Sequence, residues 1–594
     1  MTHVEPTPDD AARATLKQMR WQAGTLFRAL DLDGDGRLSP AEIDAAPEVL
    51  RRMADSDGCL RESALGGATV IPYMIRRSGI LRLLDPDGDL VITPRDIADA
   101  PARIRRLDSD QDGYVTADDD LPDLSQSAEN RMPMGTASQM LAYQTKMFSR
   151  TPEMTGPLPP QGEAAVQPGY LLIQEVSDRG DVQKSHKTLL MDEHGKVAHV
   201  WPTPQRLPEA TVTYLLDDGN LLRTTCKHDW LTMDGQFPIG ANGTVSIVAP
   251  DGRVLWEWSN LEFGKEALHH DVEMMPNGNI LAISWDILTA EQARARGWAQ
   301  QGARDRIVLD KIYELKPDLA TGGTDVVWCW RMVDHIVQNR DATAPGFGNP
   351  ADHPEKIDIN WPQLDEIQFN SGQLLHTNAV SYNEKDDVIL ISSAIFGEIW
   401  AIDHSTTAQE VMGSTGGRYG RGGDLIWRWG NPQTWGQGGP EDQELFWQHD
   451  AHWLRDDVPH QGDVLVFNNG MRRSAEGSAE YGQICMGMIT GAYSDILEIS
   501  LPRDANGMFV MGEGPFIEWS FNTDGAEDIY SPFMSNAQRQ RNGNTLMVQA
   551  CDKRIVEVTA DDEIVLDFHV GGPGRMYRIY KYPRDHPGIR ALGL

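Results

Sequence analysis

The chain has 594 residues and carries 53 Lys and Arg against 88 Asp and Glu, a formal net charge of -35. Such acidity excludes nucleic acid or an anionic membrane surface as main partner, because both demand a basic face. Hydrophobic residues at 40% and aromatics at 8% exclude a disordered chain. No apolar run nears the ~18 residues of a membrane span; the longest, Val388 to Phe396, is strand-length and broken by serines. The cysteines Cys59, Cys226, Cys329, Cys485 and Cys551 are odd in number, scattered and without a CxxC, so neither a zinc knuckle nor a disulfide framework is signalled. Met1-Thr2-His3-Val4-Glu5-Pro6 has no basic and no apolar region of a signal peptide. As written the chain is expected in the cytoplasm, and in the periplasm or secreted if a signal has been removed.

After a tail over 1–20, residues 21–125 read as a calcium-binding unit. Asp31, Asp33 and Asp35 supply carboxylates at loop positions 1, 3 and 5. Gly36 makes the turn at 6, Arg37 offers its carbonyl at 7, and Glu42 stands at 12, which is the EF-hand pattern. A second loop has Asp85, Asp87, Asp89, Val91 and Asp96, with Leu90 in place of the glycine; a third has Asp108, Asp110, Asp112, Tyr114 and Asp119. Asp at position 12 reaches the ion less easily than Glu, so weaker sites are expected there. A degenerate loop begins at Met53 and ends at Ala64, with Asp55, Asp57, Gly58 and Leu60 between; it is expected to bind nothing. Starts at 31, 53, 85 and 108 give intervals of 22, 32 and 23. The short intervals predict that neighbouring loops pair, in a manner resembling bacterial calcium repeats or dockerins. The unit is then a structural calcium module, with a calcium sensor or a calcium-dependent surface for a protein partner as alternatives.

Residues 126–168 read as a connector, with an irregular helix over 126–144 and a Pro-rich stretch from Thr151 to Pro160. From Gly169 to the end the texture is short β runs with Asn/Asp-Gly turns. One aromatic strand recurs: Val197-Ala198-His199-Val200-Trp201, Val254-Leu255-Trp256-Glu257-Trp258, Val326-Val327-Trp328-Cys329-Trp330, Leu425-Ile426-Trp427-Arg428-Trp429, Phe516-Ile517-Glu518-Trp519 and Ile564-Val565-Leu566-Asp567-Phe568. Its spacings of 57, 72, 99, 90 and 49 residues fit a common unit with loop insertions. A mainly β, six-bladed β-propeller over 169–594 is predicted, with the small α-helical EF-hand unit before it.

A second strand recurs as Thr211-Val212-Thr213, His270-Asp271-Val272, Thr377-Asn378-Ala379, His449-Asp450-Ala451 and Ser535-Asn536-Ala537. Equivalent positions of a propeller lie at one level around its axis. His269, His270, His376 and His449 are therefore expected to converge on one mouth of the channel. His452 shares the strand of His449, and the remaining histidines fall in turns or outer strands.

The segments His269-His270-Asp271-Val272-Glu273-Met274-Met275-Pro276-Asn277-Gly278-Asn279, His376-Thr377-Asn378-Ala379-Val380, Gln448-His449-Asp450-Ala451, Phe467-Asn468-Asn469-Gly470, Asn542-Gly543-Asn544 and Tyr577-Arg578-Ile579-Tyr580-Lys581-Tyr582-Pro583 resemble the bacterial arylsulfotransferase family of propellers, over roughly 169–590. The resemblance implies sulfuryl transfer from an aryl sulfate to a phenol with no nucleotide cofactor, one histidine carrying the group between them. On it, His449 matches the nucleophile. His270 and His376 match the groups that hold sulfate oxygens and handle the phenolic proton. Asn378, with His269, Asp450 and Asn469 of the same segments, is substrate-binding. One departure stands out: the family carries an arginine after a Ser-Ser pair, and here Ser392-Ser393 is followed by Ala394. Arg472 or Arg473 would then supply the cation.

Two other readings stay open. His270, His376, His449 and His452 with Asp271 and Asp450 offer ligands for a transition metal in the channel, and hence hydrolase or lyase chemistry. A binding module without catalysis is the other.

Overall fold

The computed structural model describes residues 25–55, 57–61, 79–84, 91–108, 110–116, 166–175, 186–203, 212–225, 240, 242–262, 264–299, 306–361, 372–471, 493–523, 529–550, 553–570 and 576–594. The connector predicted over 126–168 therefore lies almost wholly outside the described residues, as do Asp85, Asp87, Asp89, Asp119, Arg472 and Arg473.

The N-terminal unit is built on helices α1 Thr25–Leu30, α2 Pro40–Met53, α3 Gly79–Leu84 and α4 Pro94–Ile104. The start of α2 is fixed by a capping box. Glu42 N–H donates to Ser39 Oγ, and Glu42 Oε2 accepts the Ser39 N–H at 2.8 Å, with Pro40 in the first turn. Ile43, Ala46 and Leu50 bury one face of α2, and Ile97, Ala100 and Ile104 bury one face of α4. These join Leu38, Leu60, Ile92 and Val115 in one core.

The loop pairing differs from the expectation. Leu38 of the first loop bridges Val115 of the Asp108 loop, and Leu60 of the Met53 loop pairs with Ile92 of the Asp85 loop. Each of these residues is the eighth of its loop. The reason is length. The 14 residues of α2 separate the first and second loops by about 20 Å at 1.5 Å per residue. Loops at opposite ends of one helix cannot pair, so the first meets the last and the two middle ones meet each other.

The rest is a six-bladed β-propeller, each blade a four-stranded antiparallel sheet. The innermost strands are Tyr580–Pro583 (blade I), Thr213–Leu215 (II), Glu266–Met274 (III), Thr377–Asn383 (IV), His449–Trp453 (V) and Asn536–Arg539 (VI). The recurring aromatic strand is the outermost of every blade: Val197–Thr203, Val254–Trp258, Thr324–Arg331, Leu425–Trp429, Phe516–Phe521 and Ile564–His569. A register shift in the pairing of each outer strand breaks strict alternation of its faces. Trp201, Trp256, Trp328, Trp330, Trp427 and Trp429 pack inward, whereas Val254, Val326, Phe516 and Ile517 face water. No described helix is long and apolar enough to cross a membrane.

Blade I joins the two ends of the propeller. The late strand Tyr580–Pro583 pairs with Gly169–Glu175, Tyr580 opposite Leu172 and Pro583 opposite Gly169. Lys581 on this strand is buried and donates to Glu557 Oε2 of blade VI at 2.7 Å. Glu557 Oε1 accepts from Asn544 Nδ2 and from the Gln167 N–H. Lys581→Met would strand a buried carboxylate, a loss of about 3–5 kcal/mol. Denaturant midpoints are expected to fall accordingly, and to recover in large part when Glu557→Leu is added.

Candidate active site

The functional side chains stand midway along the inner strand of blade III, just before that of blade IV and at the start of that of blade V. Each of these strands carries a β-bulge, between Leu268 and Val272, Thr377 and Ala379, and His449 and His452. A bulge bends the strand and re-aims a side chain. The backbone turns left-handed at His270 (φ 52°), His376 (φ 52°), Trp447 (φ 63°) and Asp450 (φ 56°). Residues with a Cβ seldom accept that conformation, which costs ~1–3 kcal/mol each, so strain is concentrated at one level of the channel.

At that level the histidines meet. His269 Nδ1 and His270 Nδ1 are 2.8 Å apart. The rings of His270 and His376 lie 4.6 Å apart, and Tyr577 lies 6.1 Å from His270 and 6.5 Å from His449. His270 and His449 are buried and His376 is half-buried. Trp447, also half-buried, stands 5.6 Å from His376. His269 is buried against Trp285 and faces Asp310 at 3.3 Å, so it supports His270 from behind.

The tautomer of His449 follows from its partners. Nδ1 lies 2.9 Å from the Trp447 carbonyl oxygen and 2.8 Å from Asn469 Oδ1. Asn469 Nδ2 is spent on the carbonyls of Ser531 and Met534, which turns its oxygen toward the ring. Both neighbours of Nδ1 are acceptors, so Nδ1 carries the proton and Nε2 the lone pair. Nε2 accepts the Met534 N–H at 3.2 Å. Burial and His376 hold the His449 pKa down at about 3, and burial with His269 holds His376 at about 4. His270 is likewise held well below its ordinary value by burial and His376. His376 Nδ1 donates to Gln373 Oε1 at 2.9 Å, leaving its Nε2 unprotonated as well.

A charged layer lies beside the histidines. Arg578 Nη1 is 2.9 Å from both Asp271 Oδ2 and Asp450 Oδ1. Asn378 Nδ2 donates to the Gln448 carbonyl at 2.7 Å, linking blades IV and V. His452, half-buried, has Nδ1 2.8 Å from the Asp450 carbonyl oxygen. Farther along, burial raises the Glu273 pKa to about 7.

The structure thus brings together His270, His376 and His449, with His269, Asn378, Asp450 and Asn469 around them. Ala394 adjoins them, its N–H 3.4 Å from the His376 carbonyl. Sequence reasoning gave Arg578 no role of its own, although it is a lone guanidinium in an aromatic run, Tyr577 to Tyr582, within one of the resembling segments. It also missed Gly240, whose φ of 108° and distant position gave no signal. A Cβ there would come 2.2 Å from His270 Cε1, so His270 rests against bare backbone.

In the N-terminal unit the carboxylates of Asp31, Asp33 and Asp35 gather within 4.8 Å of one another, and so do those of Asp108, Asp110 and Asp112. Arg37 pairs with Asp35, and Tyr114 N–H donates to Asp112. Glu42 is buried and accepts the N–H groups of Leu32, Asp33 and Ser39. Val91 lies in the short pairing with Arg61, and Asp96 is tied to Thr93 and Arg103. Among the described residues the other such cluster is His460, Asp463 and Glu498 of blade V; the channel histidines form none. The transition-metal reading gains no support from this geometry.

Comparison with known proteins gives two family matches: arylsulfotransferase (ASST) over residues 181–568 and an EF hand over 24–45. No curated protein sequence matches the chain. Among solved structures, a protein of unknown function from Bacteroides caccae is 11% identical over 70% of this chain and 98% of its own, with a TM-score of 0.36. The β-propeller domain of Cps50 from Myceliophteria thermophila is 8% identical over 72% and 98%, with a TM-score of 0.31. At such scores they say nothing of this chain's chemistry. The first family match spans about two thirds of the sequence, and the chain belongs to the arylsulfotransferase family.

Proposed function

We propose that this protein moves the sulfuryl group of an aryl sulfate to a phenol, without a nucleotide donor, through a sulfo-histidine at His449. The observation that carries this reading is the fixed tautomer: two acceptors at Nδ1 leave Nε2 unprotonated, with an electron pair held by the Met534 N–H at 3.2 Å that the donor sulfur must displace. That pair attacks the donor sulfur, the bond from sulfur to the aryl oxygen breaks, and the phenoxide leaves with its electrons. The acceptor phenol then attacks the same sulfur and the bond to Nε2 breaks. One proton passes from acceptor to departing phenoxide, so no co-reactant is needed. His270 and His376, in ring contact, are assigned to pass protons transiently between the phenolic oxygens and water and to hold the sulfate oxygens. Dividing the transfer into two displacements replaces one hard step by two easier ones.

The pH profile tests the assignment. An ordinary imidazole protonates near 6.5, but His449 and His376 stay neutral down to about 3 and about 4. For nitrophenyl sulfate and a phenol, kcat/KM is expected to hold as pH falls through 6.5 and to decline only below about 5. His449→Ala should abolish turnover. Incubation with donor alone should leave an acid-labile adduct of sulfuryl mass on the peptide containing His449. Full activity in His449→Ala, or an adduct elsewhere, rules the assignment out.

We propose that the N-terminal unit binds calcium at the loops of Asp31 and Asp108. The donor set fits: three carboxylates within 4.8 Å of one another can each reach an ion at 2.3–2.6 Å. These like charges repel until a cation neutralises them, so binding favours the folded form. Chelation is expected to lower the melting temperature of this unit, and Asp31→Asn with Asp108→Asn to remove most of that response. A thermogram indifferent to chelator, with no calcium by elemental analysis, would sink the idea.

A further inference from the structure

Arg578 stands two residues before the inner strand of blade I and is almost wholly buried, at 1% side-chain exposure. Its Nη1 reaches Asp271 of blade III and Asp450 of blade V, each at 2.9 Å. Its Nη2 donates to the Asn378 carbonyl of blade IV. Tyr214 of blade II and Tyr580 of blade I donate to the same two carboxylates, at 2.7 and 3.0 Å. One guanidinium therefore links the strands of blades III, IV and V directly. Asp271 follows His270 in the chain, Asp450 follows His449, and Asn378 lies two residues beyond His376.

Stability alone does not account for this cluster. Two carboxylates and one guanidinium taken out of water lose hydration that their attraction hardly repays, and apolar residues of similar volume commonly serve as well or better. What the cluster provides is distance. A guanidinium is a rigid planar fork, and three partners at fixed angles hold three strands at one spacing. We propose that Arg578 is a positioning residue for sulfuryl transfer, which sets the separation of His270, His376 and His449 across the channel. This rests on the reading of His449 given above.

The test uses the full chain and three variants. Arg578→Lys keeps the charge but cannot span three partners. Arg578→Gln removes the charge. Arg578→Gln with Asp271→Asn removes the fork yet returns the cluster to its original net charge. In Arg578→Lys and in the double variant, kcat with an aryl sulfate and the rate of adduct formation at His449 are expected to fall about 100-fold, the scale of a ~1 Å misplacement, while KM moves less than about threefold. Wild-type kcat in Arg578→Lys, or recovery of activity in the double variant, overturns the proposal, since charge alone would then suffice. A rise in KM at constant kcat overturns it too. If the glutamine variants do not fold, Arg578→Lys decides alone. If the wild type turns over no aryl sulfate, the functional reading fails separately. The positioning claim is then judged by carbethoxylation of His449 with diethyl pyrocarbonate, mapped by mass. A change of roughly fivefold in Arg578→Lys supports it, and an unchanged rate overturns it.

Discussion

The pairing of Tyr580–Pro583 with Gly169–Glu175 is the contact on which the channel depends. Six blades arranged in a ring have no intrinsic reason to stay closed; the last must find the first. Here the closing strand comes from the far end of the propeller and brings Tyr577, Arg578 and Tyr580 with it. Those three meet residues of blades II to V in the channel. The chemistry and the architecture are thus tied by one strand. An open ring would lose the guanidinium that faces Asp271 and Asp450 before it lost any histidine.

The second constraint is backbone strain. The left-handed residues with a Cβ include His270, His376, Trp447 and Asp450, which lie within or just before the bulged inner strands of blades III, IV and V. A regular strand would point these side chains alternately toward the channel and into the blade. The bulges break that alternation and let neighbouring residues take different tasks: His269 supports, His270 faces its partner histidine, and Asp271 reaches Arg578. The strain is offset by hydrogen bonds to bulge backbone, such as Asn242 Nδ2 to the His270 carbonyl at 3.1 Å.

Much of this was legible in the sequence, because propeller repeats write their period in aromatic residues. The six outer strands could be placed from tryptophan and phenylalanine alone, since each must bury a large ring between blades. The repeat also brought the histidines to one level. Arg578 was not legible, because its partners Asp271 and Asp450 lie over a hundred residues away and a single basic residue leaves no periodic trace. The contact of Asn469 with the ring of His449 was not legible either: its amide oxygen lies beside His449 Nδ1, and its amide nitrogen donates to the Ser531 carbonyl. In the N-terminal unit, loop positions were readable one by one. Pairing was not, because spacing in sequence says nothing of which ends of a helix face each other.

That pairing has a consequence for how the unit comes into being. The bridge between Leu38 and Val115 encloses the pairing of Leu60 with Ile92, like brackets within brackets. During synthesis the inner bracket can shut first, whereas the outer must wait until residue 115 has emerged. Among the described residues, the EF-hand loops with gathered carboxylates, at Asp31 and Asp108, both belong to the outer bracket. A cation held by either loop, as proposed above, would stiffen a bridge that the other shares. Two loops whose first residues are 77 apart by their numbers in the chain are therefore neighbours in the fold, joined through the bridge of Leu38 and Val115.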